Sequence, residues 1–161
     1  MSPVSQAVLD GLNTGIQAEL SAYVFYMKGF QSSKDTKLKE LLAQLASEEK
    51  DHYKILERQY DNLVRSEMWV AYNDIMLQPG LPDMDEKMED IHNEHIDEVT
   101  AETTPMRLLE IALILEKRAR DLYADLATKV DDSKGKNMFE YLSKFENGHV
   151  IKITKLMEAY K

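Results

Sequence analysis

Apolar residues recur at intervals of three and four along four segments of the chain, the spacing that places side chains on one face of an α-helix. The segments run from about residue 12 to 30, from 38 to 63, from 109 to 127 and from 139 to 160. Within each of them the apolar positions are interrupted only by a few polar residues. The pattern therefore predicts four amphipathic helices that pack against one another as a bundle.

Short polar breaks at residues 32–35 and 131–135 divide these helices into two hairpins, at about 5–63 and 106–160. The connection between the hairpins, about 64–105, is much longer and contains a turn with two prolines followed by an acidic stretch. Connections within simple bundles are short, whereas ferritin-like folds use one long crossover along the bundle. The pattern thus predicts an all-α, ferritin-like four-helix bundle, in one domain that spans all 161 residues.

The two hairpins are similar to each other at an offset of 97 residues. The matching pairs include Glu19 with Glu116, Tyr26 with Tyr123, Glu49 with Glu146 and His52 with His149. In each half the two glutamates are 30 residues apart, with no insertion or deletion between them. A constant offset over this length indicates an internal duplication and a pseudo-twofold arrangement.

The matching residues also suggest a metal site. The polar break lies midway between the two glutamates of each hairpin, so both return to the same height in the bundle. A Glu-x-x-His step places carboxylate and imidazole on one helix face. Four carboxylates cannot all be ionised in a bundle core, but two divalent cations would neutralise them. Oxygen and imidazole donors suit iron or manganese, with zinc as a possible substitute.

Each residue of this set has an expected role. We predict Glu19 and Glu116 as terminal ligands, one for each metal, and Glu49 and Glu146 as bridges. His52 and His149 would each bind one metal. Tyr26 and Tyr123 lie two helical turns beyond their glutamates, where their hydroxyls would orient the ligand carboxylates or their rings would simply fill the core. A metal-free bundle with register-setting polar residues is the alternative interpretation.

Several further residues belong to weaker patterns. A third Glu-x-x-His, Glu89 to His92, lies in the connection and has no copy in the other half. With Glu94 and His95 these residues would form a secondary metal site, or they would simply lie on a solvated acidic helix, which is the interpretation we favour. Gly148 is unusual inside a helix and would leave room beside the metals or permit close packing. Arg120, four residues after Glu116, is expected to pair with an acidic neighbour at the edge of the bundle.

Composition narrows the possible functions. Acidic residues outnumber basic ones by 29 to 20, for a net charge of −9, which disfavours binding to nucleic acid or to an anionic membrane. The chain has no cysteine, which excludes disulfides, thiolate catalysis and iron–sulfur clusters. No apolar run approaches the roughly 18 residues of a membrane span, and the first residues do not resemble a signal peptide. We therefore expect a cytoplasmic protein.

The motifs resemble those of the rubrerythrin family, within the ferritin-like superfamily, over essentially the whole chain. The resemblance rests on the eight paired residues above and on the segment 109–117, LEIALILEK. It implies a non-haem di-iron oxidoreductase that reacts with hydrogen peroxide or dioxygen, in oxidative-stress defence or iron oxidation, and that forms a homodimer.

Two differences from rubrerythrins matter. Ala119 stands where they have a further glutamate ligand, and the rubredoxin-like module with four cysteines is missing, so an external electron donor would be needed. The remaining ligand set is also similar to that of bacterioferritin, which makes a ferroxidase or iron-storage protein the alternative function. Lys50 stands where bacterioferritin has its haem-ligand methionine, so no haem is expected. A metal-binding electron-transfer bundle without turnover is the third possibility.

Overall fold

The computed structural model describes residues 4–161 and contains four long helices and two short ones in that range. They are α1 (Gln6–Ser32), α2 (Thr36–Ser66), α3 (Tyr72–Leu77), α4 (Glu94–Glu98), α5 (Pro105–Lys129) and α6 (Ser133–Met157). Helix α1 packs along α2, and α5 packs along α6, so that each pair forms a hairpin; the hairpins meet mainly along α1 and α5. The architecture is the predicted bundle of two helical hairpins joined by a crossover.

Each long helix begins at a polar side chain that caps its first turn. The capping residues are Ser5, Asp35, Thr104 and Asp132, and each accepts a hydrogen bond from a backbone N–H two or three residues further on. Such a cap contributes about 1 kcal/mol to helix stability. Pro105 occupies the first turn of α5, where its missing N–H costs nothing. Helix α5 therefore begins at Pro105, directly after the Thr104 cap.

The core lies along the predicted apolar seams. Seam residues from all four long helices are fully buried, among them Leu12, Leu42, Leu56, Leu109, Phe139 and Leu142. Burial of such side chains contributes roughly 1.5–3 kcal/mol each, so the seams supply most of the driving force for packing. The polar residues of the seams are buried with them, which sets up the site described below.

The crossover is held to the bundle by basic side chains of α2. The buried Lys54 donates from Nζ to the Gln78 carbonyl at 2.5 Å, and Arg58 donates to the Pro79 carbonyl at 3.0 Å. Gly80, with φ of +90°, makes the turn that follows. Helix α3 packs on α2 and α6, whereas α4 packs on α1. The turn is thus fixed against the outside of the first hairpin.

The acidic stretch after the turn is less helical than its sequence spacing suggested. It forms a single 3₁₀ turn, Asp85–Lys87, and the five-residue helix α4 rather than one continuous helix. Helix α4 is short because Asn93 caps its start and Val99 is already extended. Within the described residues, no helix combines the length and the apolar composition needed to cross a bilayer.

Candidate metal centre

The structure brings the six predicted ligand residues together at the centre of the bundle. Each long helix contributes: Glu19 from α1, Glu49 and His52 from α2, Glu116 from α5, and Glu146 and His149 from α6. All six side chains belong to residues that are at most 1% exposed. They meet because they occupy seam positions and because the turn of each hairpin lies midway between its glutamates.

The six residues form two overlapping groups of potential ligands. The first contains Glu19, Glu49, His52 and Glu146, and the second contains Glu49, Glu116, Glu146 and His149. Within each group one ligand atom from every residue lies within 4.8 Å of the others. The groups share Glu49 and Glu146, as two metal positions with two bridging carboxylates would require. The role of these residues as ligands stays a prediction.

Both imidazoles point Nδ1 at the carboxylates. His52 Nδ1 lies 2.6 Å from Glu146 Oε1 and 3.7 Å from Glu19 Oε1. His149 Nδ1 lies 3.1 Å from Glu49 Oε1 and 3.2 Å from Glu116 Oε1. Each histidine therefore presents the same ring nitrogen to its own ligand group.

Two tyrosines hold the terminal carboxylates from the opposite hairpin. The Tyr26 hydroxyl donates to Glu116 Oε1 at 2.6 Å, and the Tyr123 hydroxyl donates to Glu19 Oε1 at 2.5 Å. Both tyrosines are fully buried, so they fill the core and orient carboxylates at once. Burial, followed by the charge of the neighbouring glutamates, raises the pKa of each phenol well above its ordinary value. Both side chains therefore stay protonated donors.

In the absence of cations, the electrostatics of the cluster favour protonation of two of its glutamates and of both histidines. Burial and the charges of the other carboxylates raise the pKa of Glu49 and of Glu116 well above its ordinary range. Burial opposes a charge on His52, but the close carboxylates of Glu146 and Glu19 together outweigh it and raise the His52 pKa to about 10. For His149, burial is likewise outweighed by the close Glu116 and Glu146 carboxyls, which raise its pKa to about 11. Bound cations would displace these protons.

Several polar atoms of the cluster lack hydrogen-bond partners among the described residues. They are Glu19 Oε2, Glu49 Oε1, both ring nitrogens of His52, Glu116 Oε2, both carboxylate oxygens of Glu146 and His149 Nδ1. Buried polar atoms are normally paired, and such a concentration of unpaired ones requires an explanation. Oxygen and imidazole donors that converge at ion-pair distances without satisfying one another's hydrogen-bond geometry fit divalent metal ions of the iron and manganese type. The residues present therefore fit a two-metal centre.

Glu48 is a residue near the site that the sequence analysis missed. Its Oε2 lies 2.6 Å from His149 Nε2, on the side of the ring away from the carboxylate cluster. The sequence repeat could have drawn attention to this position, because Glu48 precedes Glu49 in the first half, whereas Phe145 precedes Glu146 in the second.

Residues with weaker patterns lie elsewhere. His92 is 60% exposed and contacts Asp97, and neither it nor His95 belongs to a potential metal group within residues 4–161. Arg120 pairs with Asp121 and with the side-chain oxygen of Asn147. A Cβ built on Gly148 meets nothing within 4 Å, so this glycine does not serve close packing.

Comparison with known proteins gives one informative structural match. No protein-family model matches the chain, and no curated protein is significantly similar to it. Among solved structures, bacterioferritin from Rhodobacter capsulatus matches with 23% identity and a TM-score of 0.64, over 99% of this chain and 88% of that one. The bacterioferritin structure is described with a metal-free dinuclear site and a haem iron. The resemblance to rubrerythrins gains no support, whereas the chain does have the predicted ferritin-like fold.

Proposed function

We propose that this chain is a di-iron carboxylate protein that oxidises Fe(II), with chemistry similar to that of bacterioferritin. The observation that carries the proposal is the convergence of four buried glutamates and two buried histidines into two ligand groups that share two carboxylates. Two ferrous ions would each give up one electron and become ferric. These two electrons and two protons would reduce dioxygen to hydrogen peroxide, or hydrogen peroxide to two molecules of water. Manganese or zinc are possible substitutes for iron.

The residues of the chain have distinct tasks in this reaction. Glu49 and Glu146 would hold both ions, while Glu19 and Glu116 would each hold one. Their four negative charges balance two divalent cations, which makes a buried site tolerable. Tyr26 and Tyr123 keep the terminal carboxylates in place through hydrogen bonds that cross between the hairpins. The fully buried ligands limit the access of water to the reacting centre.

Reaction with peroxide in the manner of rubrerythrins is the second candidate, supported by the motif resemblance in α5. Ala119 weighs against it, because a methyl side chain cannot replace the additional glutamate ligand. Repeated turnover with peroxide would require an external electron donor. We also propose a homodimer. Haem remains unexpected in this chain because Lys50, whose Nζ lies 5.3 Å from the Tyr23 ring centre, follows Glu49.

The test measures iron binding and oxidation in the same preparation. Protein purified without added metal is loaded with Fe(II) under anaerobic conditions and is expected to bind two ions per chain. Stopped-flow mixing with dioxygen or with peroxide then follows ferric absorbance, and an oxygen electrode gives the Fe(II) to dioxygen ratio. Glu146→Ala is the control that should abolish both binding and oxidation.

Three outcomes separate the possible functions. Rapid oxidation by dioxygen supports the ferroxidase, and a strong preference for peroxide supports the rubrerythrin-type reaction. Binding of two irons with no oxidation faster than that of free Fe(II) would contradict both and leave a metal-binding electron-transfer bundle. The mass in solution separates a homodimer from a storage cage.

A further inference from the structure

The two histidines of the candidate metal centre differ in the contacts of their outer ring nitrogen, Nε2. His149 Nε2 lies 2.6 Å from Glu48 Oε2, and Glu48 Oε1 in turn accepts a hydrogen bond from Gln44 Nε2 at 2.9 Å. The Glu48 side chain is 20% exposed, and Lys152 Nζ lies 4.0 Å from its Oε1. The outer nitrogen of His149 is therefore held by a carboxylate that is itself fixed.

His52 has no such support. Its Nε2 is buried and has no hydrogen-bond partner among residues 4–161. The phenyl ring of Phe145 lies perpendicular to the imidazole, with 4.6 Å between the ring centres. The Phe145 ring also lies perpendicular to the His149 ring, with 5.3 Å between the ring centres. Because Phe145 and Glu48 correspond at the offset of 97 residues, the duplication has placed a phenyl ring in one half where the other has a carboxylate.

This difference has a direct chemical consequence. A carboxylate that accepts the Nε2 proton fixes the imidazole in the tautomer whose Nδ1 lone pair is free to bind a metal. It also fixes the ring orientation and makes the imidazole a stronger donor. His149 has this support, whereas in His52 neither tautomer is favoured by a hydrogen bond to Nε2.

We propose that Glu48 is a positioning residue that makes the two metal positions unequal. The position of His149, with Glu49, Glu116 and Glu146, binds a divalent ion more tightly and fills first. The position of His52 binds more weakly and exchanges its ion more readily. This inference rests on the proposed two-metal function and adds to it an order of loading, in which the His149 position fills before the His52 position and empties after it.

The experiment titrates Co²⁺ into metal-free protein by calorimetry. Wild type is expected to bind two ions in two resolved steps. In Glu48→Ala the tighter step should weaken by roughly 10- to 100-fold, the usual effect of removing a residue that supports a metal-bound histidine. The weaker step should change far less. Glu48→Gln retains an oxygen acceptor and should lie between the two.

A spectroscopic readout identifies the histidine concerned. A histidine bound to Co²⁺ through Nδ1 gives a shifted proton resonance from its Nε2–H, which is visible in water only when a hydrogen bond slows exchange. After one equivalent of Co²⁺, wild type should show one such resonance, and it should broaden or vanish in Glu48→Ala. Glu40→Ala, an exposed change on the same helix, is the matched control and should leave both readouts unchanged. Thermal unfolding in chelator verifies that each variant is folded.

Several results would overturn the inference. Two equal or unresolved steps in wild type, or an equal loss in both steps of Glu48→Ala, would show that Glu48 does not distinguish the positions. An unchanged resonance in Glu48→Ala would show that it does not hold His149. If wild type binds no Co²⁺ and no Fe(II), the proposed function itself fails and this inference fails with it. Two bound ions with no dependence on Glu48 would contradict the inference alone.

Discussion

The two hairpins are nearly equivalent in the residues that line the candidate metal centre, and they differ in the residues that contact its histidines from outside. Each contributes the same three candidate ligands, and the tyrosine of each donates a hydrogen bond to Glu116 or Glu19 of the other. The equivalence ends at the residues that surround the two histidines: the Glu48 carboxylate contacts His149, whereas the Phe145 ring contacts His52.

The residues four positions after Glu19 and Glu116 also differ between the two halves. Tyr23, which donates its hydroxyl to Asp85 in the crossover, corresponds to Arg120, which reaches Asn147 at the edge of the bundle. The comparison shows that a duplicated site can keep its ligand set while its surroundings give each half a different character.

Removal of a shared ligand should have the largest effect, because it damages both halves at once. In Glu146→Ala we expect both metal affinities to fall together. Metal that binds only the folded state stabilises it by about 2.7 kcal/mol for each site at a hundredfold excess over Kd, and most of this should disappear. Stability in chelator should also fall, but by less, because the change leaves a cavity and removes the carboxylate that contacts both histidines.

Thermal unfolding of wild type and Glu146→Ala, each with excess metal and with chelator, checks this expectation. An equal loss of stability under both conditions would make Glu146 a structural residue and would contradict its assignment as a bridge.

The reciprocal tyrosines test the equivalence of the halves directly. Tyr26→Phe and Tyr123→Phe each remove one hydroxyl that donates to a buried carboxylate. Such a hydrogen bond contributes about 1.5–3 kcal/mol, so we expect comparable losses of metal affinity in the two variants. Parallel metal titrations provide the measurement. Effects that differ by more than tenfold would show that the halves are already unequal at the carboxylates, before Glu48 is considered.

Gly148 offers a smaller, stabilising change. A Cβ at this position meets no atom within 4 Å, and the corresponding residue of the first half, Asp51, carries a side chain in a helix. Gly148→Ala should therefore raise the free energy of unfolding by about 0.5–1 kcal/mol. Chemical denaturation in chelator measures it. Gly135→Ala is the contrasting control: its Cβ would lie 2.8 Å from Trp69 ring atoms, so it should destabilise the protein.

The smallest effect is expected in the crossover, which has no equivalent in the duplication. The double variant His92→Ala, His95→Ala should retain two metals per chain, because neither residue belongs to the buried ligand groups. Metal analysis after loading and desalting is sufficient. Loss of one metal would show that a crossover histidine is a metal ligand, which would contradict this expectation.

The sequence was most informative where three independent patterns selected the same residue. Glu49 and His52 were found because a seam position, a three-residue step and the repeat all selected them. Glu48 was missed because it lies off the seam, where a glutamate is ordinarily solvated, and only tertiary packing brings α6 against it. The crossover was predicted as a connection but not in its detail, because α4 depends on one capping side chain rather than on a sustained apolar pattern.

The reciprocal tyrosine contacts bear on the ancestry of the chain. Since each tyrosine reaches the opposite hairpin, an isolated hairpin would leave its own terminal glutamate unsupported, whereas two copies of one hairpin would supply a complete set. A symmetric pair of separate hairpins could never place a carboxylate behind one histidine alone, since any mutation would appear twice. For a chain that arose by duplication of one hairpin, the contrast between Glu48 and Phe145 is a difference that could be introduced only after the two halves became one polypeptide.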